Sequence, residues 1–183
     1  HGIPGLFSVY NAMAAAVSAL RLGLPFEQVT QALFTVKGVK GRAEIVPTGR
    51  DFTVVIDYAH TPDGLANICS TMKACTAGRL VTLFGCGGDR DRGKRPQMGR
   101  IAAQWSDFLV ITSDNPRTEE PAAIIEDILA GLKDSDTPYV VVENRVEAIH
   151  WAIAHAQPGD ILLLAGKGHE TYQILKTGVI HLD

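Results

Sequence analysis

Residues 79–112 read RLVTLFGCGGDRDRGKRPQMGRIAAQWSDFLVIT. An apolar run at 79–85 gives way to a glycine-broken, charged loop, then to an amphipathic stretch at 94–104 and a second apolar run at 108–112. Short apolar runs separated by a helical pattern are the mark of a strand–helix–strand unit, whose parallel strands are buried on both faces.

The alternation continues outward in both directions. Toward the amino end, residues 43–47 and 52–57 flank a turn at Thr48, Gly49 and Arg50 and read as a strand pair, followed by a helix at 63–74. Toward the carboxyl end come a helix at 122–132, a strand at 139–142, a helix at 146–156 and a strand at 160–165. Segments 172–176 and 179–182, joined at Thr177 and Gly178, add an edge hairpin. The predicted fold class is α/β, with a mostly parallel sheet covered by helices on both faces.

Ahead of this unit, residues 9–22 form an alanine-rich helix stopped by Gly23, and Pro25 opens a second helix carrying Phe26, Val29, Ala32 and Leu33 before Gly38 and Gly41 break it. Two short helices cannot enclose their own apolar faces. Residues 1–40 are therefore read as the tail of a preceding domain and 41–183 as a domain in its own right.

A chain of 183 residues with 46% hydrophobic content can bury a core, and a formal charge of −3 leaves no basic stripe for a nucleic-acid backbone. Cys69, Cys75 and Cys86 cannot all pair and form no Cys-x-x-Cys array, so they are expected as buried thiols in a reducing compartment. No apolar run reaches the length of a membrane span, and residues 1–11 look like a domain cut rather than a secretory signal. A cytoplasmic protein with neither nucleic-acid nor membrane partner is expected.

In parallel sheets ligands bind beyond the carboxyl ends of the strands, which here are followed by loops at 57–63, 85–94, 113–117 and 166–170. Gly85, Gly87 and Gly88 would let backbone N–H groups approach an anion, or else form a plain strand-to-helix turn. They match neither the dinucleotide fingerprint nor a phosphate loop ending in Lys-Ser or Lys-Thr. Asp114, Asn115, Pro116 and Arg117 put a carboxylate, an amide and a guanidinium on one proline-stiffened turn, which suits a zwitterion; the alternative is a capping turn with Arg117 in water. Glu170 supplies a second acceptor for an ammonium group, with Gly166 and Gly168 keeping the approach clear. His60, His169 and Cys86 lack zinc spacing and receive no proton-transfer role, while Met98, Trp105 and Trp151 are read as packing residues.

Gly41-Arg42-Ala43-Glu44, the 57–63 stretch, the 85–96 loop, Asp114–Arg117 and Gly166–Glu170 occur in an order that resembles the carboxyl-terminal domain of the Mur ligases, specifically of those that use meso-diaminopimelate. The resemblance runs nearly end to end. It implies a Rossmann-like domain that closes over a central ATP-binding domain, of which residues 1–40 would be the end. Asn11 would then lie near adenine, Arg42 face the ATP phosphates and Asp57 the ribose. Arg90, Asp114, Asn115, Pro116, Arg117, Gly166 and Glu170 would hold meso-diaminopimelate.

The implied reaction uses ATP and Mg²⁺ to join that amino acid to UDP-MurNAc-L-Ala-D-Glu, with the rest of the same ligase as the necessary partner. The family's phosphate loop, carbamylated lysine and magnesium ligands do not occur in these residues, so the chain is not expected to hydrolyse ATP alone. No residue is assigned as catalytic, and residues 39–41 are read as a hinge. The competing readings are a stand-alone nucleotide-binding regulatory module, a lysine-adding Mur ligase, which the Asp114–Arg117 turn argues against, and a nicotinamide dehydrogenase, whose fingerprint is lacking.

Overall fold

The structure, a computed structural model, describes residues 6–36 and 38–182, the side chains of Leu6 and Phe7 excepted. Two helices come first, α1 (Leu6–Arg21) and α2 (Phe26–Thr35), then β1 (Glu44–Val46) and β2 (Thr53–Asp57). The alternating unit follows: α3 (Pro62–Cys75), β3 (Leu80–Phe84), α4 (Lys94–Trp105), β4 (Phe108–Ile111), α5 (Pro121–Leu129), β5 (Tyr139–Val141), α6 (Arg145–Ala154) and β6 (Ile161–Ala165). The hairpin β7 (Tyr172–Leu175) and β8 (Gly178–His181) ends the chain.

The six-stranded sheet has the order β1-β2-β6-β3-β4-β5, with β1 antiparallel to β2 and every other pair parallel. Strand β3 is buried along its whole length, and its alternate residues serve two cores. Leu80 and Phe84 pack with α3, α4 and α5 through Leu65, Met72, Met98 and Ile128. Val81 and Leu83 pack on the opposite face with Ala148 and Ala152 of α6. The small residues of α6 allow the close approach that one helix needs to cover that face.

Local chemistry sets the boundaries. Thr61 caps α3, its hydroxyl accepting the Gly64 N–H at 3.2 Å, with Pro62 in the first turn where no donor is needed. The Asn144 side chain accepts the N–H groups of Val146 and Glu147 at the start of α6. These caps start both helices just past the carboxyl ends of strands, so their first turns frame the edge where the loops gather.

Two expectations are modified. The terminal hairpin forms, but as a sheet of its own, because β1 and β5 occupy the two edges of the main sheet. It lies instead across the 113–117 turn, where the Arg117 N–H donates to Ile174 O at 3.1 Å. Cys69 and Cys86 are buried, but Cys75 is exposed because it ends α3 on the solvent side. Burial pushes both buried thiols up to about 12, which leaves them unreactive.

Residues 39–41 are not loose at their carboxyl end. Val39 forms a bridge with Arg42, and Gly41, at φ +72°, lies so close to the backbone of Gly168 and His169 that a Cβ would collide with it. The helices α1 and α2 contrast with the rest of the fold: Tyr10, Met13, Leu22 and Phe34 are exposed. No helix among the described residues is long and apolar enough to cross a membrane.

Candidate functional site

Two adjoining regions occupy the carboxyl edge of the sheet. The first joins the loops after β3, β4 and β6. The Gly88 N–H donates to Asn115 O at 2.9 Å, and Arg117 Nη1 donates back to Gly88 O at 2.9 Å and to Asn115 O at 3.2 Å. Asp89 accepts the Thr118 hydroxyl at 2.6 Å, and its own N–H donates to Glu119 Oε1 at 2.6 Å. Asp89 and Arg117 both have left-handed backbones, at φ +52° and +54°, which the reciprocal bonds between the loops hold in place.

Arg95 anchors this zipper from beneath. It is fully buried and donates to Glu119 at 2.8 and 2.9 Å, to Asp127 at 2.9 Å and to Gly87 O at 3.3 Å. Its guanidinium, with the Asp89 N–H, holds the Glu119 carboxyl down at about 2. Gly85 and Gly88 prove to serve this packing rather than to expose backbone to a ligand. A Cβ on Gly85 would meet Thr112 O, and one on Gly88 would meet Pro116 O. Pattern reading left an anion cradle and a plain turn open because it cannot see which backbone faces the glycines, and the packing favours the turn.

Among the residues expected to hold an amino acid, Arg90 is exposed and Arg117 half-buried, and both border the space in front of Gly87. A Cβ placed there would lie 2.9 Å from Arg117 Nη1 and 3.7 Å from Arg90 Cγ. Asp114, Asn115, Pro116 and Gly166 are buried, and a Cβ on Gly166 would lie 3.2 Å from Asp114 Oδ2. Glu170 joins them through Asn115 Nδ2, which donates to its Oε2 at 3.3 Å, and through the Tyr58 hydroxyl at 3.4 Å. Cationic and anionic side chains thus meet within one group of loops.

Besides Arg95, two more buried cations escaped the sequence reading. Lys167 is 6% exposed, with its ammonium 2.6 Å from Asn115 Oδ1, 2.7 Å from Tyr172 O, and 3.3 Å from both Glu170 Oε2 and Asp114 Oδ1. Arg145 is 3% exposed and donates to Ala165 O at 2.9 Å, while its Nη1 has no hydrogen-bond partner among the described residues. Burial pulls the Arg145 guanidinium down from its usual range, opposed by Asp114 and Glu170. The only signal in the sequence was that Lys167 lies between two glycines in a strand-end loop; nothing in the sequence sets Arg145 apart from a solvated charge.

The second region is a cavity of about 670 Å³ between α1–α2 and the loop after β2. Asn11, Arg42 and Asp57 all line it, as do Ser8 and Tyr58. Asp57 fastens the floor, accepting the N–H of Ala43 at 2.7 Å and of Ala59 at 2.8 Å on its two oxygens. Burial raises its pKa, against the opposing pull of those backbone N–H groups and of Arg42. The Arg42 guanidinium lies 4.8 Å from the Tyr58 ring centroid, and the rings of His60 and His169 lie 4.7 and 5.3 Å from it. Among the described residues no group of three or more His, Cys, Asp or Glu side chains is placed to hold a metal ion.

Met98 is buried in the core and Trp105 packs at its edge, while Trp151 stacks between Phe108 and His155 at centroid distances of 5.6 and 4.0 Å. These are packing roles, as their helical spacing indicated.

The fold and these two regions make an α/β domain whose mixed-charge loops lie beside an open cavity on one strand-end face. Residues 41–168 match the family described as "Mur ligase, glutamate ligase domain", and the chain belongs to the Mur ligase family. It is 56% identical over 181 residues to the UDP-N-acetylmuramoyl-L-alanyl-D-glutamate–2,6-diaminopimelate ligase of Caldanaerobacter subterraneus subsp. tengcongensis, and 53% identical over 180 residues to that of Syntrophomonas wolfei. These alignments cover 99% and 98% of the chain but 37% of each relative, so the chain spans little more than a third of their length. A solved ligase of the same description superposes with a TM-score of 0.75 at 37% identity, over 99% of this chain and 37% of that one.

Proposed function

We propose that this chain is the carboxyl-terminal part of a ligase that adds meso-diaminopimelate to UDP-MurNAc-L-Ala-D-Glu, with residues 1–40 the end of the central ATP-binding domain and 41–183 the domain that receives the amino acid. One observation carries the reading. Arg90 and Arg117 border the same space, while Asp114 and Glu170 gather at the other side of Asn115, so the loops present donors and acceptors for a group bearing both a carboxylate and an ammonium. The substrates named for the ligases of 56% and 53% identity agree with it.

On this reading Arg90 and Arg117 take the distal carboxylate, and Asp114 and Glu170 take the distal ammonium, with Asn115, Pro116 and Gly166 shaping the turn between them. Fixing that end orients the other amine for attack. The amine nitrogen bonds to the D-glutamate acyl carbon, which ATP has activated as an acyl phosphate; the carbon–oxygen bond to phosphate breaks, phosphate leaves and the nitrogen loses a proton. Asn11, Arg42 and Asp57 contribute the cavity face for adenine, phosphates and ribose. Magnesium would neutralise phosphate charge, but the described residues offer no ligand cluster for it, and no step here depends on them for it. The cytoplasm is the proposed compartment, since both substrates are precursors made there.

Lysine lacks the distal carboxylate, and a site built to hydrogen-bond a group rejects analogues without it by roughly 10⁴ or more. In the full-length ligase, Arg117→Ala is expected to lower kcat/KM for diaminopimelate by roughly 100-fold while leaving the slow use of L-lysine nearly unchanged. Tripeptide formation with each amino acid measures both. Equal losses would overturn the assignment.

A further inference from the structure

The buried ammonium of Lys167 raises a question of hydrogen-bond capacity. Its three hydrogens have three acceptors in reach, Asn115 Oδ1 at 2.6 Å, Tyr172 O at 2.7 Å and Glu170 Oε2 at 3.3 Å, so none remains for a ligand. Asp114 Oδ1 lies 3.3 Å away as a further counter-charge. An ammonium surrounded by an amide oxygen, a carbonyl and two carboxylates is bound as a diamine's end would be bound. The chain has filled an ammonium site with its own side chain.

The consequence passes through Asn115. Its Oδ1 also accepts the Ile174 N–H at 2.8 Å, so two donors converge on that atom and identify it as the oxygen. The Nδ2 edge is thereby turned to Glu170, at 3.3 Å, and among the described residues its second hydrogen has no acceptor. Asn115, which composition alone would offer as an acceptor for an ammonium, is set as a donor and suits a carboxylate. Glu170 Oε2 is occupied by Lys167 and Asn115, leaving its Oε1, with the long Tyr58 contact, and Asp114 Oδ2 beside Gly166 for an incoming ammonium.

We propose that Lys167 is a positioning and specificity-determining residue of the amino-acid pocket: by occupying the deeper ammonium site and fixing Asn115 as a donor, it makes the pocket select an amino acid whose far end is zwitterionic over one ending in an ammonium alone. This rests on the diaminopimelate reading above. Lys167 makes no contact with the reacting atoms and acts through Asn115, Glu170 and Asp114. Removing it leaves two carboxylates with an ammonium-sized hole, which attracts a simple cation and no longer holds the amide donor in register.

The test uses the full-length ligase with Lys167→Ala, assayed for tripeptide formation with meso-diaminopimelate and with L-lysine. KM for diaminopimelate is expected to rise about 10- to 100-fold, the loss of a charge-assisted bond, with kcat and KM for ATP little changed. KM for L-lysine should stay level or fall, so discrimination shrinks. Ethylammonium chloride at tens of millimolar, but not sodium chloride, should restore the diaminopimelate KM saturably by refilling the hole. An unchanged KM, an equal loss for both amino acids, or a folded variant that ethylammonium does not rescue would overturn the proposal.

Where Lys167→Ala does not fold, Asn115→Asp supplies the answer, since it keeps the oxygen that Lys167 holds and replaces the donor edge by a charged acceptor facing Glu170. It should raise KM for diaminopimelate about tenfold or more and leave L-lysine unaffected, whereas equal effects would count against the proposal. A wild-type ligase that does not use diaminopimelate would instead defeat the underlying reading, and that result is separable from any behaviour of the variants.

Discussion

The two regions on the strand-end face differ in how far each is finished. The pocket formed by the 85–95, 113–117 and 166–170 loops has its turns cross-bonded, its left-handed residues held and its charges countered by Arg95, Lys167 and Arg145 within this chain. The cavity beside it is floored by Asp57 and the 41–43 backbone but walled by α1 and α2, whose large apolar side chains are exposed. Geometry that is already held costs nothing to adopt on binding, so the first region is the pre-organised one. The cavity wall, by contrast, has apolar area still to bury.

The largest effect expected from breaking this contrast comes from Arg95→Met. Methionine keeps the apolar stem but leaves Glu119 and Asp127 without their buried partner, so Glu119 is no longer held for the Asp89 N–H. Removing one member of a buried ion pair costs about 3–5 kcal/mol; Glu119 and Asp127 retain some solvent contact, so about 2–4 kcal/mol is expected here. Denaturant unfolding of the chain measures that loss. In the full ligase the variant should weaken diaminopimelate binding while ATP binding holds, and a parallel loss of both would mean that the two regions are not separately organised.

Much of this contrast could be read from residues, and the limit lies where side chains meet. The sheet was legible because β3 and β6 are apolar runs alternating with amphipathic segments. The loops bearing Asp114, Arg117 and Glu170 were legible from their place after strands. The zipper was not, since nothing in Gly88 announces that Pro116 O lies against it, and nothing in Arg95 distinguishes it from the exposed Arg92 three residues earlier. The hairpin was recognised as a hairpin but not as a clasp over Asn115, because its partner backbone is more than fifty positions away. Long-range pairing of polar groups leaves no local period in a sequence.

A smaller effect sharpens the comparison through hydrogen exchange. The N–H groups of Gly88 and Asp89, bonded across loops, should exchange slower by roughly two orders of magnitude than those of Leu22, Gly23 and Val36, which are bonded within or at the ends of α1 and α2. All five are hydrogen-bonded, so the difference reports tertiary support rather than bond count. In the full-length ligase the α1–α2 amides should gain protection while the zipper amides change little. Equal protection of both sets in the isolated chain would erase the distinction.

Acid offers the finest separation, because the two regions respond to it with opposite sign. Arg95 and the Asp89 N–H hold Glu119 at about 2, below its ordinary 4.5. A carboxyl depressed by folding contributes stability that is present above the ordinary value and is lost as pH falls from about 4.5 toward 2. Asp127 behaves alike: burial raises it, and Arg95 and Arg92 more than reverse that. Asp57 is raised by burial, so its contribution is present below the ordinary 3.8 and declines as pH rises through its higher folded value. Melting temperatures followed from pH 6 to 2.5 should therefore fall less steeply for Glu119→Gln than for the wild-type chain, the two curves converging toward the acid end. Asp57→Asn should make that acid limb steeper, because it removes a contribution that grows as pH falls. Parallel curves for wild type and Glu119→Gln would show that the Arg95 pairing does not hold the zipper, and the contrast between a finished pocket and an open cavity would lose its electrostatic basis.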